Sequence, residues 1–456
     1  LQSQKSSGQN EGRPVLNQKK PVSLFSATIL VIANMIGTGV FTTLGFQLAS
    51  VHFPFSAIML WVVGGIVSFC GALSYGELGA MMPRSGGEYA YLTEIYHPAI
   101  GFLTGSVSIL VGFGAPIALA AMALGRYSGV AFPGVDETIV AVVAIVALTL
   151  VHLVDVQFGC HFQNVFTVGK ILLIAAFILA GFSMPYPQKI GLPESLGEIG
   201  SVFNPDFAVG LVYVSFAYSG WNASAYIAGE IPWPERNLPI SLFLGTVFVS
   251  LCYVLLNLVF LLTVPAGELA GKIEVGYLSA KAIFGAGGVR LMTLLICLAL
   301  ISTISSMVMV GPRVASAMGE DIRALGFLAG RNKRGVPVRA ILIQSSIAIL
   351  LALTSAFNFV LTYVGFTLTL FTCMAVLGVF VLRFKKPYLK RPFKTWGYPV
   401  VPALYLAVNG WMLCYLVIQR PLPSAFCLMT VASLLVLYKW LTNRQSQSTL
   451  LQEEKR

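Results

Sequence analysis

Charge is what this sequence is shortest of. Only 10% of its 456 residues are Asp, Glu, Lys or Arg, against about 25% in an ordinary soluble domain. Hydrophobic residues make up 57%, and mean hydropathy is +0.82. Apolar runs of about 20 residues, the length that crosses a bilayer, recur along the chain, so a water-soluble enzyme is excluded. Other absences narrow the class further. The seven cysteines show no CxxC spacing and no histidine at metal-ligand spacing, so neither a disulfide framework nor a metal site is expected; they read as small apolar residues in helix packing. No GxxxxGK[ST] run is present, which disfavours ATP-driven pumping, and no cofactor is expected. No paired intramembrane acids, bases or metal ligands suggest an enzyme, and no repeated pore motif or charged ring suggests a channel. Residues 1–21 lack the apolar stretch of a signal peptide and, like residues 443–456, are expected to be a flexible cytoplasmic tail.

What is there reads as an all-α integral membrane protein with twelve transmembrane helices. The spans are expected at 24–49, 55–82, 94–127, 138–156, 160–182, 206–231, 239–264, 288–318, 338–355, 358–383, 398–419 and 423–442. Placing the amino terminus inside puts 22 of the 29 Lys and Arg on the cytoplasmic side and six outside, with Lys170 left within a span. That asymmetry predicts both termini in the cytoplasm. The net charge of +11 is then a matter of topology. The basic loop 329–339 suits anionic lipid, and no nucleic-acid partner is expected.

Two spans carry polar and glycine-containing centres. The first reads IANMIGTGVFTTLG (32–45), although glycine costs about 1 kcal/mol in a helix interior relative to alanine. It is not a dinucleotide loop, because GxGxxG needs glycine at 42, where Thr42 stands. Small-residue helix packing would account for one such glycine pair. A second interruption, Tyr218-Ser219-Gly220-Trp221-Asn222, occupies the centre of span 6. Spans 1 and 6 each open a set of five, and breaks at corresponding positions of two inverted repeats mark a transporter site at the bilayer midplane. Irregular backbone at that depth must be buried in protein or line a cavity. Freed amides suit an anion and freed carbonyls a cation, so together they suit a zwitterion.

MIGTGVF (35–41), ELGAMMPRSGGEYAYL (77–92), FTVGKILL (166–173), FAYSGWN (216–222), GEIPWPERNLP (229–239), GPRVASAMGED (311–321) and RPFKTWGYPVVP (391–402) span most of the chain. In these stretches it resembles the amino acid–polyamine–organocation superfamily, especially bacterial relatives of the L-type amino-acid transporters. The resemblance implies a LeuT-like fold with discontinuous helices 1 and 6. Its repeats would cover 22–183 (spans 1–5) and 204–386 (spans 6–10), with spans 11 and 12 at 397–442 outside them. It implies that the amides of Gly37, Thr38 and Gly39 and the Thr38 hydroxyl hold a substrate carboxylate. Carbonyls of Ile36, Phe216, Ala217 and Ser219 would take the ammonium, and Phe216 would close over the substrate as a gate. Ser219 stands where L-type members usually carry glycine, which makes the backbone there less permissive. Asn222 satisfies freed backbone groups or touches substrate, and Trp221 lines the pocket or packs against a neighbour. The small residues of span 3 allow close helix approach and offer one wall of the pocket.

Lys170 has apolar residues on both sides, and a mid-membrane lysine costs about 2.5–3.5 kcal/mol on insertion scales. Either it snorkels to an interface, or, as the resemblance implies, its ammonium replaces a sodium ion between spans 1 and 5, with Ser305 or Ser306 of span 8 bordering the site. Glu77 and Glu230 read as structural ion pairs, Glu230 with Arg236, or as gate elements. Asp155 reads as solvated, and His97, His152 and His161 as interface residues. The resemblance also implies that a disulfide-linked heavy chain would attach through a cysteine in the loop after span 3. Residues 126–137 contain none, so no such partner, and a monomer, is expected. These readings converge on a sodium-independent transporter of neutral L-amino acids in the inner (plasma) membrane, working as an exchanger by alternating access. The alternatives are a proton-coupled symporter and a cationic amino acid or polyamine carrier.

Overall fold

The computed structural model describes residues 22–37, 39–51, 53–132, 134–185, 188, 204–272, 274–354, 357–419 and 421–453. All regular structure among them is helical. Among the described residues ten helices are long and apolar enough to cross a membrane: 24–50, 54–81, 98–129, 137–154, 156–182, 234–263, 292–321, 364–385, 400–418 and 424–442. The sequence expects two more crossings. The segment 338–354 is a shorter apolar helix of 17 residues, and 205–230 is broken into two pieces, neither of which reaches spanning length.

Local chemistry sets most of the boundaries. The first helix, α1 (Leu24–Met35), starts where the Ser23 hydroxyl accepts from the Ser26 amide; α2 (Gly39–Ser50) continues the same span after the break. A proline in the first turn, where no amide donor is missed, opens α3 (Pro54–Met81). Then follow α4 (Glu88–Ile95) and α5 (Pro98–Val107), the latter capped by His97, whose Nδ1 accepts from the Ala99 amide. A π-helical stretch, Ser108–Gly114, leads into α6 (Ala115–Ala131). Asp136 caps α7 (Glu137–Val154), and Asp155 caps α8 (Val156–Phe182) by accepting from the Gln157 amide at 2.7 Å. Asp155 is therefore a helix cap rather than merely a solvated charge.

The second half of the chain begins with α9 (Pro205–Tyr218) and a 3₁₀ helix (Ala223–Glu230). It continues with α10 (Pro234–Thr263), α11 (Val275–Val310), α12 (Pro312–Asp321), α13 (Val338–Thr354), α14 (Phe357–Lys385), α15 (Val400–Gln419) and α16 (Pro421–Glu453). The two broken spans lie at the centre. There α1 packs against α10 and α8, while α2 packs against α9 and α9 against α3. One buried apolar cluster runs through all of these elements. The helices 137–154, 156–182 and 424–442 lie mostly at the outside of the bundle, with Leu172, Leu179 and Leu428 exposed, as lipid-facing helices require.

Candidate functional site

At the first break Ile36 leaves the helix (φ −77°, ψ 83°), and the Gly37 amide turns back to the Met35 carbonyl at 2.9 Å. Thr38, expected to hold the substrate carboxylate, lies outside the described residues. A helix that stops leaves its last carbonyls without the amides of the next turn, and three side chains from distant helices bond to them. Lys170 Nζ donates to Ala33 O (3.2 Å) and Ile36 O (2.7 Å), and Thr303 Oγ1 lies 2.8 Å from Ile36 O. The Tyr253 hydroxyl donates to Met35 O at 2.5 Å. Both lone pairs of the Ile36 carbonyl thus face protein donors, where the sequence reading sends that oxygen to the substrate ammonium.

Lys170 is 1% exposed, so it does not snorkel. An ammonium has three N–H donors and no acceptor; Ala33 O, Ile36 O and Thr303 Oγ1 (3.3 Å) match all three. The residue of α11 at this point is Thr303 and not Ser305 or Ser306. Ser305 bonds to His152 Nε2 at 2.8 Å, and Ser306 donates to the Thr303 carbonyl at 2.8 Å. The reason is helical phase: two residues along, at about 100° per residue, Ser305 points away from α8. His152 is accordingly a buried hydrogen-bonding residue, 5% exposed, and not an interface one, while His161 is exposed as expected.

At the second break the Ser219 amide donates to Phe216 O at 3.0 Å, and the chain passes through Gly220 at φ +95° into the 3₁₀ helix. The left-handed residue is Gly220. Ser219, at φ −55° and ψ 151°, needs no glycine. The two breaks also press on each other. A Cβ on Gly39 would stand 2.6 Å from Ala217 Cα, and one on Gly220 would stand 2.9 Å from the Asn34 carbonyl. The Tyr253 hydroxyl, 3.0 Å from Ala217 O as well, bridges them.

A cavity opens beside the second break. Asn34, Phe216, Ser219, Trp221, Asn222 and Tyr226 line it from the broken spans. Gly112, Phe113 and Pro116 form the wall expected from span 3, and Met307, Tyr405 and Asn409 complete it. Ile36, Gly37, Gly39 and Ala217 are not among its lining residues. Trp221 both lines the cavity and packs edge-on against Tyr75, ring centres 4.7 Å apart. Asn222 bonds no freed backbone group with its side chain. Its Nδ2 donates to Glu88 Oε1 and lies 3.3 Å from the Tyr226 hydroxyl. Sequence reading missed Glu88, whose only signal was its place in the PRSGGEYAYL stretch.

One end of the bundle is tied by ion pairs. Glu230 meets Arg313 through two 3.1 Å bonds and Arg331 at 3.7 Å; Arg236, its expected partner, does not pair with it. Arg84 holds Asp321 at 2.8 and 2.9 Å, and these hydrogen bonds raise its pKa above the usual arginine value. Glu77 binds Arg383 at 2.7 and 2.9 Å and the Thr395 amide at 2.8 Å.

Two helices are thus broken against each other beside a cavity, and the buried ammonium of Lys170, from α8, bonds the end of the first. The sequence profile of the family described as amino acid permease matches residues 22–437. The chain belongs to that family. As a permease it is a membrane transporter of amino acids and not an enzyme. It is 28% identical over 440 residues to the mouse (Mus musculus) b(0,+)-type amino acid transporter 1, covering 92% of this chain and 87% of that one. It is 28% identical over 413 residues to the mouse large neutral amino acids transporter small subunit 2, with 88% and 77% covered. The mouse Asc-type amino acid transporter 1 is 27% identical over 414 residues, covering 89% of this chain and 78% of that relative.

Proposed function

We propose that this permease is a sodium-independent exchanger of neutral L-amino acids. The observation that carries this reading is Lys170. A mobile cation could bridge the broken first span to α8 and α11; here a covalently attached ammonium fills that place, with all three donors used. A fixed cation needs no sodium gradient. In this reading the substrate lies in the cavity at the second break, its carboxylate directed to the amides of Thr38 and Gly39, where α2 begins; the expected third amide, that of Gly37, is instead turned to Met35 O. Its ammonium faces the second break, through the carbonyls of Phe216 and Ser219, and Phe216 closes over it. Two expected roles shift: the Ile36 carbonyl is engaged by Lys170 and Thr303, and Ala217 O lies 3.0 Å from the Tyr253 hydroxyl, whose proton it shares with Met35 O. Among the described residues no acidic side chain lines the cavity, which favours a neutral side chain over a cationic one. A relative named for large neutral amino acids supports the same class.

The fold that goes with this reading has twelve crossings, counting 205–230 and 338–354 with the ten long helices. Spans 1–5 and 6–10 are its inverted repeats, and both termini face the cytoplasm at the plasma membrane. The expectation that the chain works alone draws no support from a relative named as a small subunit. With no cysteine in 126–137, a partner at that loop would be held without a disulfide to it. The test is uptake of radiolabelled amino acids into proteoliposomes, with and without sodium, internal unlabelled amino acid and a proton gradient. Sodium-insensitive uptake stimulated by internal neutral amino acid is the expected result. Accumulation in empty vesicles driven by an inward proton gradient would make the protein a symporter instead.

A further inference from the structure

Behind the cavity wall sits a carboxylate with no cation. Glu88 is 2% exposed, at the start of α4, and no arginine, lysine or histidine among the described residues forms an ion pair with it. The turn that carries it is pressed onto the second half of the broken span. Gly87, at φ +55°, lies so close that a Cβ would meet the Tyr226 ring at 2.4 Å. The Gly86 amide donates to Tyr226 O at 3.0 Å, and the Ser85 hydroxyl accepts from the Gly229 amide at 3.0 Å. Glu88 Oε1 accepts from the Tyr75 hydroxyl at 2.8 Å and from Asn222 Nδ2, while Oε2 meets no partner. A buried charged group held this way costs several kcal/mol unless its hydrogen bonds are specific.

Those bonds have a consequence for the cavity. A carboxamide has one accepting and one donating end, and its neighbours decide which way it points. Glu88 Oε1 only accepts, so it takes the NH₂ of Asn222. That leaves the carboxamide oxygen, which no donor reaches among the described residues, as the end free to serve the cavity that Asn222 lines. We propose that Glu88 is a positioning residue for substrate recognition, which fixes Asn222 with Oδ1 as the acceptor for the substrate's α-ammonium. Asn222 then supplies the acceptor that the Ile36 carbonyl, engaged by Lys170, does not. This inference rests on the cavity being the amino acid site proposed above.

The test compares substitutions in proteoliposomes loaded with unlabelled L-alanine and L-leucine, with KM and kcat measured for the same two labelled compounds. Glu88→Met removes the acceptor, frees the carboxamide to turn, and is expected to raise KM about tenfold, the value of one hydrogen bond to a charged group. Its kcat is expected to stay within about threefold, because a residue that only positions a binding group acts chiefly on affinity. Glu88→Gln keeps an accepting oxygen and is expected to bind at least about five times more tightly than Glu88→Met. Asn222→Asp sets two acceptors against each other, and adding Glu88→Gln, which brings an NH₂, is expected to recover most of the lost affinity. Equal KM in wild type and Glu88→Met, an equal defect in Glu88→Gln and Glu88→Met, or no recovery in the double variant would each overturn the inference while leaving the proposed function standing. Uptake of neither amino acid by the wild type would overturn the proposed substrate class and this inference with it.

Discussion

The two breaks answer the same problem, exposed backbone inside a membrane, in different ways. At the first, the freed carbonyls of Ala33, Met35 and Ile36 are each taken by a side chain more than 130 residues away: Lys170, Tyr253 or Thr303. At the second, the chain turns on itself through the Ser219 and Ala223 amides, and one side chain, Asn222, reaches back to Glu88. The first break is therefore clamped by the bundle, and the second is left open to the cavity. In lipid an unpaired backbone group costs several kcal/mol, so a break can be clamped or can line a cavity; clamping dominates at the first break and the cavity at the second.

If that contrast holds, damage at the first break should be felt through the bundle. Lys170→Met has the largest expected effect: Ala33 O loses its donor and Ile36 O one of two, at about 1–3 kcal/mol each, and uptake should be abolished. Scanning fluorimetry of the detergent-solubilised protein should show a lower melting temperature. Uptake above half the wild-type level would mean that the lysine is not what holds the break. Next comes Gly220→Ala, which forces a side chain into φ +95° and against Asn34. Strain of this kind costs about 1–3 kcal/mol, and uptake should fall at least about tenfold. Tyr253→Phe removes the hydroxyl shared by Met35 O and Ala217 O and should lower stability by about 1–3 kcal/mol, with partial loss of uptake. An unchanged melting temperature would show that the bridge between the breaks is dispensable. The smallest effect is expected for Ser219→Gly, because the turn does not use a left-handed residue there. It should cost less than about 1 kcal/mol, through the freer unfolded chain, and a larger loss would show that the hydroxyl itself contacts substrate.

Much of this was legible in the sequence, and the exceptions share one cause. Glycines and Asn34 inside an apolar run announce a break because helix propensity and backbone desolvation are local properties, readable in a window of a few residues. Lys170 announces itself for the same reason. Its partner on α11 is Thr303 where the sequence points to Ser305 or Ser306, because a serine and a threonine two residues apart look alike until the rotation of that helix against α8 is known. Glu230 was paired with the nearby Arg236, when Arg313 and Arg331 are the arginines that reach it. Glu88 passed unread because a carboxylate in a polar turn is ordinary until the turn is folded against Asn222. What the sequence alone determined is where the chain enters apolar surroundings, where it cannot stay helical, and which side chain is too polar for its depth. The tertiary structure alone decided which group answers each freed carbonyl and which way Asn222 points. A hydrogen bond depends on tenths of an ångström and on direction, and only the packing of distant helices sets those.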